Sequence, residues 1–282
     1  MRELNLEEIK SLTLNLLCRF DCMCRDNGIR YSLAMGTLLG AVRHGGFIPW
    51  DDDADLILTR PEYEKLLSLP ERCIPQGCEL ISIERDRDFG APLAKFIDTD
   101  TVLQQTEHAE KRRLGVYLDL FVYDALPESA GMQRFCCRYG DLLQRCWTAS
   151  ELKVRSGEKN IIKILYKSLA QKIGLARMFA FALRSYARSR SYSRASSLGC
   201  LYFNPFPRSR FSFPRKAMEQ YREIVFENHS FMAFEDPALF LRAWYGDYMK
   251  LPPIEKRVGH HQYRAYWKNE IEPERKRCLH EE

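Results

Sequence analysis

The sequence predicts an α+β protein, with a mixed sheet in its first half and helices dominating its second half. Three observations carry this. Apolar residues recur at helical spacing over residues 6 to 24. Short segments of period-two alternation follow, best seen at 53–58 and 116–122. From about residue 133 the pattern turns helical and basic. With 282 residues, 45% of them hydrophobic, the chain can bury a core as one large domain or two small ones. The expected division is a core with an N-terminal helix over 1–130 and a mainly helical region over 131–282, with one continuous domain as the alternative.

The elements follow in order. Leu6, Ile9, Leu12, Leu16, Leu17 and Phe20 define the first helix, and Gly28 ends the segment. Residues 30–35 read as a short strand, and Gly36-Thr37 breaks it before a helical turn over 38–43. A loop over 44–49 leads to a strand at 53–58. Pro61 sits where a helix tolerates proline, at the start of 61–69. Short strands are expected at 79–84 and 92–98, and a longer one at 116–122, closed by Leu126-Pro127. Residues 188–216, rich in Arg and Ser, read as loop, and a last helical region covers about 235–249.

The net charge of +5 suits an anionic substrate but is too small to argue for nucleic acid. The ten cysteines invite a disulfide reading, yet MRELNLEEIK has acids where a secretory signal needs a basic start and an apolar run. The expectation is reduced, mostly buried thiols in a cytoplasmic protein. No run of about 18 apolar residues suggests a membrane span. The stretch 161–186 alternates apolar residues with Lys163, Lys167, Lys172, Arg177 and Arg184. The ordinary expectation is a helix packing its apolar face on the core, and the alternative is a peripheral contact with an anionic inner membrane face.

The most informative run is Ile48-Pro49-Trp50-Asp51-Asp52-Asp53-Ala54-Asp55-Leu56-Ile57-Leu58. If its strand begins near Asp51, then Asp51, Asp53 and Asp55 share one face, and Ala54, Leu56 and Leu58 enter the core from the other. Asp52 then points away. Stacked carboxylates repel, and the arrangement becomes favourable when a hard divalent cation, magnesium or manganese, sits between them. Asp119 lies opposite the apolar face formed by Val116, Leu118, Leu120 and Val122. On a neighbouring strand it would bring a third acid to the site. The bland alternative is a solvated acidic turn. Upstream, Met35-Gly36-Thr37-Leu38-Leu39-Gly40 reads as strand, tight turn and helix start. Thr37 serves there as N-cap, Gly36 permits close approach of a ligand, and free N–H groups attract phosphate. Arg43 and His44 on the next turn meet either phosphate charge or solvent.

Together these blocks resemble the LicD family, in the same broad group as the fukutin proteins. The resemblance rests on Gly36-Thr37-Leu38-Leu39-Gly40-Ala41-Val42-Arg43 and on Ile48 through Asp55. It continues in Asp119-Leu120-Phe121 with Asp124 and Pro127, and in Tyr245-Gly246-Asp247-Tyr248-Met249 with Leu251-Pro252-Pro253 and His260. It implies a polymerase-β-like nucleotidyltransferase core over 1–130, completed at the substrate site by 131–282. It implies transfer of phosphocholine, or a related phospho-alditol, from CDP-choline or another CDP-linked donor to a glycan acceptor, free or lipid-linked, with release of CMP. It implies Asp53 and Asp55 as metal ligands and Asp119 as ligand or base, with Asp51 as an addition. Val122-Tyr123 departs from the family's proline-containing step after Phe121.

Further candidates surround this set. Lys95, within Leu93-Ala94-Lys95-Phe96-Ile97-Asp98, reaches phosphate or snorkels from the core edge. Trp50, Tyr117, Tyr123, Trp244, Tyr245 and Tyr248 are aromatic faces for a quaternary ammonium, each with core packing as its bland reading. Trp50, Tyr245 and His260 join Gly36, Thr37, Arg43 and Lys95 as the expected substrate-binding set. Cys18 and Cys22 share a helix face without a second pair at zinc-site spacing. Two rival functions remain: a sugar-nucleotide glycosyltransferase using Asp-x-Asp, and a catalytically silent binding member of the fold. No Walker loop, dinucleotide glycine fingerprint or His-Glu-x-x-His motif is present.

Overall fold

The computed structural model describes residues 2–86, 89–105, 114–151, 161–201, 212–259 and 263–268. Helix α1 (Leu6–Asp26) opens with a reciprocal cap: the Asn5 side chain accepts the Glu8 N–H at 3.0 Å, and the Glu8 carboxylate accepts the Asn5 N–H at 2.9 Å. Its buried stripe runs through Ile9, Leu16, Leu17 and Phe20. Phe20 meets Tyr31 and Phe96 edge-on, with ring centroids 5.4 and 5.2 Å away. Burying such a ring contributes about 1.5–3 kcal/mol.

The strands β1 (Ser32–Leu33), β2 (Ala54–Thr59), β3 (Cys78–Ile81), β4 (Ala94–Asp98) and β6 (Tyr117–Ala125) form a mixed sheet in the order β1-β2-β6-β4-β3. Strands β7 (Ser197–Gly199) and β8 (Phe213–Pro214) extend it from the far end of β6. Among the described residues of this sheet, only β2 and β6 run parallel; the other pairings are antiparallel. This central pair is buried on both faces over Leu56–Leu58 and Leu120–Tyr123, so its second half reads as a continuous apolar run. Helix α2 (Met35–His44) joins β1 to β2, and α3 (Arg60–Leu67) follows β2, with proline in its first turn.

Helices α4 (Ala130–Glu151), α5 (Ile161–Ile173) and α6 (Leu175–Ala187) come next, then α7 (Arg215–Met218) and α8 (Pro237–Tyr245). One apolar cluster joins Leu17 and Phe20 of α1, Leu56–Leu58 of β2, Leu183 of α6 and Phe240, Leu241 and Trp244 of α8. The mixed α/β class expected from the sequence is therefore observed. Three features were not expected: strand β5 (Thr101–Gln105) paired with β11 (Tyr263–Trp267), the hairpin of β9 (Tyr221–Phe226) and β10 (His229–Phe234), and the short β7 and β8 inside the 188–216 stretch read as loop.

Helix α6 meets the ordinary expectation for the basic stretch, burying Ala180, Leu183 and Ala187. Helix α5 does not: Ile162 is 80% exposed and Leu165 64%. The described cysteines are free thiols, but only Cys24, Cys136 and Cys200 are buried, and Cys22 is exposed. No helix among the described residues is long and apolar enough to cross a membrane.

Buried ion pairs fasten α3 to β6 and α6 to the turn that follows β3. Arg60 of α3 donates to both carboxylate oxygens of Asp124, at 2.6 and 2.8 Å. Arg184 of α6 pairs with Glu84, at 2.5 and 3.0 Å, and stacks on the Tyr63 ring. Asp124, which the resemblance placed in the third-acid region, thus serves α3 rather than the acid cluster.

Candidate active site

Strand register assembles the first row of the site. Asp55 of β2 is the parallel partner of Asp119 on β6, and Asp119 is the antiparallel partner of Lys95 on β4. Paired residues on adjacent strands project to the same face, so an acid, an acid and a base lie side by side across three strands. The Lys95 ammonium donates to Asp119 at 2.5 Å and lies 3.5 Å from the centre of the Tyr117 ring. Lys95 is therefore held by Asp119 and Tyr117, and its first service is to fix and neutralise an acid.

The second row lies in the approach to β2. The strand begins at Ala54, so period-two alternation does not govern Asp51, Asp52 and Asp53. A turn closed by the Asp51 N–H on the Ile48 carbonyl, at 2.9 Å, gathers them instead. One oxygen from each of the three carboxylates lies within 4.8 Å of the others. The expectation that Asp52 points away is thus corrected: outside the strand, nothing forces neighbouring side chains to opposite faces. Lys10 and Thr13 of α1 pin this turn by donating to the carbonyls of Pro49 (2.9 Å) and Asp52 (3.4 Å).

The glycine-threonine turn supports these acids from below. Helix α2 starts at Met35, whose φ of 45° makes the tight turn, and Ala34 is its N-cap, without a side-chain bond. Thr37 is therefore not the cap. It is buried, and its hydroxyl accepts the Asp55 N–H at 2.9 Å, while Ala34 donates to the Asp55 carbonyl at 2.9 Å. The start of α2 is stitched to the strand at the very residue that carries the inner acid. Gly36 does permit close approach, but of a protein group: a Cβ there would lie 2.5 Å from Asp51 Oδ2. Asp51 thus rests on the first turn of α2, where the helix dipole favours negative charge. Gly36→Ala should displace Asp51 and lower turnover by about 10²-fold. A helical alanine is itself favourable, so the melting temperature should not fall; steady-state kinetics beside a thermal melt check both.

Burial, joined by the charges of Asp53, Asp119 and Asp51, raises the Asp55 carboxyl well above its ordinary value, and Lys95 offsets this only in part. Tyr245, the last residue of α8, stands among the same acids. Its hydroxyl is pushed up by burial and then by Asp55, Asp51 and Asp53, with Arg43 opposing. Arg43, in the last turn of α2, donates to the Tyr248 carbonyl at 2.9 Å and to His44 Nε2 at 3.0 Å. Burial, and the nearby Arg257, lower its affinity for the proton. Arg257 donates to the Pro252 carbonyl at 2.9 Å and places its guanidinium 5.8 Å from the Trp50 ring centre. A Cβ on Gly259 would lie 3.4 Å from the Trp50 carbonyl, so the C-terminal segment closes over the acid turn.

The structure thus brings Asp51, Asp53, Asp55, Asp119, Lys95, Arg43, Trp50 and Tyr245 to one region. His260 lies outside the described residues. Tyr123 and Trp244 are 0% and 1% exposed in the main core, which removes them as ammonium-binding faces. Arg257 was not foreseen, because nothing in Glu255-Lys256-Arg257 separates a site arginine from a surface one.

Residues 28–129 match the family described as LicD/FKTN/FKRP, nucleotidyltransferase domain. The match spans every acid of the site and stops before Tyr245 and Arg257. Beyond the domain, the chain is 28% identical over 278 residues to the lipopolysaccharide cholinephosphotransferase LicD of Haemophilus influenzae, covering 94% of this chain and 99% of that protein. It is 32% identical to the uncharacterized protein RP689 of Rickettsia prowazekii over 103 residues, 36% of this chain and 35% of that one. A segment of 29 residues is 66% identical to the ribitol 5-phosphate transferase FKRP of Homo sapiens, covering 10% of this chain and 6% of that protein.

Proposed function

We propose that the protein transfers phosphocholine, or a related phospho-alditol, from a CDP-activated donor to a glycan hydroxyl in lipopolysaccharide or other cell-surface polysaccharide, releasing CMP. The observation that carries this is the in-register Asp55–Asp119 pair beside the Asp51–Asp53 turn, with Arg43 nearby and Arg257 on Trp50. Full-length similarity to a cholinephosphotransferase supports the choice of group. The core is read as a polymerase-β-like nucleotidyltransferase fold.

The donor set fits a divalent cation. Its ligands are hard carboxylate oxygens, and burial, then the charges of the neighbouring acids, raise the Asp55 carboxyl well above its ordinary value. Asp51, Asp53, Asp55 and Asp119 would hold magnesium or manganese, which neutralises the donor's diphosphate charge. The chain's own residues do the rest. Arg43 and Arg257 bind phosphate oxygens. The acceptor oxygen attacks the phosphorus that carries choline, the bond from that phosphorus to the bridging oxygen breaks, and CMP leaves with the bonding electrons. Asp119 takes the hydroxyl proton, and the Lys95 ammonium, donating to Asp119 Oδ1, holds that carboxylate in place. The Trp50 face already receives the Arg257 cation, the chemistry a quaternary ammonium needs.

The test is CMP release from CDP-choline by purified protein with magnesium and a glycan extract of the source cell. Release that needs both metal and extract is the expected result. No release with CDP-choline, CDP-ribitol or CDP-glycerol, together with turnover of a UDP-sugar, would replace this reading with a glycosyltransferase. Metal and pH should also act on stability together. A carboxyl raised in the folded state contributes stability that is present below its unfolded value, 3.8, and lost as pH rises through the folded value. The metal-free protein should therefore melt lower at about pH 8 than at about pH 5, apart from the background of other groups. Magnesium competes with the proton, so its stabilisation should be larger at the higher pH. Differential scanning fluorimetry of wild type and Asp55→Asn, with and without magnesium, isolates the contribution.

A further inference from the structure

We propose that α5 and its neighbours form a docking surface for an anionic lipid bilayer, a binding site separate from the acid cluster. Helix α5 carries Ile161, Ile162, Leu165, Leu169 and Ile173, all between 58% and 80% exposed. These five fall at helical spacing along one stripe, and Ala170 is the only buried residue among the described side chains of the helix. A helix of 13 residues offers a stripe about 20 Å long. The helices packed against it continue the pattern: α4 exposes Phe135 and Leu142, and α6 exposes Met178 and Phe181. An exposed apolar stripe of this length marks an interaction site.

Charge selects the occupant. Residues 161–187 contain three lysines and two arginines and no acid. Arg184 is paired with Glu84, and the stretch also carries Lys163, Lys167, Lys172 and Arg177 in its sequence. On α4, Arg134, Arg138 and Arg145 are all exposed. An apolar stripe set among cations, with no acid over 27 consecutive residues, is the composition of a helix that lies in the headgroup region and draws on anionic lipid. A second copy of this chain would bring the same cations face to face, so self-association through this surface is disfavoured by repulsion. The inference goes beyond the proposed transfer reaction and does not depend on it.

The test is flotation of the intact protein with vesicles of phosphatidylcholine alone and of phosphatidylcholine mixed with phosphatidylglycerol. Co-flotation is expected with the mixed vesicles, with marked weakening at high salt and loss in the double variant Leu165→Glu and Leu169→Glu. Lys172→Glu should weaken binding without abolishing it. Because these side chains are exposed, the variants should melt like wild type. Failure of the wild type to float with anionic vesicles, or undiminished flotation of the double variant, would overturn the proposal. So would light scattering that shows a dimer converted to monomer by the double variant, since that assigns the face to a second copy. CMP release from a soluble acceptor reads the active site alone, so failure there and failure here are distinguishable.

Discussion

Asp55→Asn is expected to reduce transfer by at least about 10³-fold while raising the melting temperature of the metal-free protein. The two effects share one cause. Asp55 is half-buried at the head of β2, beside Asp119, and the charges of Asp53, Asp119 and Asp51 all oppose its ionisation. An amide in the same place removes that repulsion and with it the charge that would hold a cation. The backbone is untouched: the residue 55 N–H still meets Thr37 and its carbonyl still meets Ala34. A variant that is inactive but more stable is a signature that unfolding cannot imitate. Turnover within a few-fold of wild type, measured as CMP release at saturating magnesium, would remove Asp55 from the chemistry.

Asp124→Ala is expected to destabilise the fold by about 3 kcal/mol, near the lower end of the range for breaking a buried ion pair. Asp124 is 1% exposed and receives two hydrogen bonds from Arg60, itself 9% exposed. The substitution leaves a buried guanidinium without its bidentate partner. Glu64, 3.3 Å from Arg60 and more exposed, compensates in part and holds the loss below the top of the range. Replacing both partners by apolar residues, Arg60→Met with Asp124→Leu, should recover most of the loss, because no charge is then stranded. Urea unfolding midpoints of the single and double variants measure this. A single variant within about 0.5 kcal/mol of wild type would show that water reaches the pair.

The contrast between these two acids shows where reading the chain succeeds. Asp51, Asp53, Asp55 and Asp119 were legible as a cluster because carboxylates beside an apolar strand oppose their own burial, and such a conflict asks for a function. Asp124 occupies the same strand as Asp119, five residues on, and looked like part of the same site. Its partner, Arg60, is 64 residues away in sequence, and no local pattern announces it. Thr37 was legible as important and its role was not. A threonine at a strand-to-helix turn reads as a cap, whereas its hydroxyl faces across to β2. Arg257 and the β9–β10 hairpin were missed for the same reason: their meaning is in what they pack on.

The mixed α/β class, the positions of most helices, the strands β1 to β4 and β6, and the acids that the fold gathers were readable from the chain, because period and residue chemistry are local properties. Tertiary structure alone decided the parallel pairing of β2 with β6 that sets Asp55 beside Asp119, and the capture of Asp119 by Lys95. It also decided the turn that draws Asp52 back into the cluster and the exposure of the α5 stripe. The strand pairing, the Lys95 contact and the pinning of the acid turn by Lys10 and Thr13 each depend on a neighbour distant in sequence. A side chain's charge and hydropathy are written in its identity, but the partner that neutralises or buries it exists only once the chain has closed.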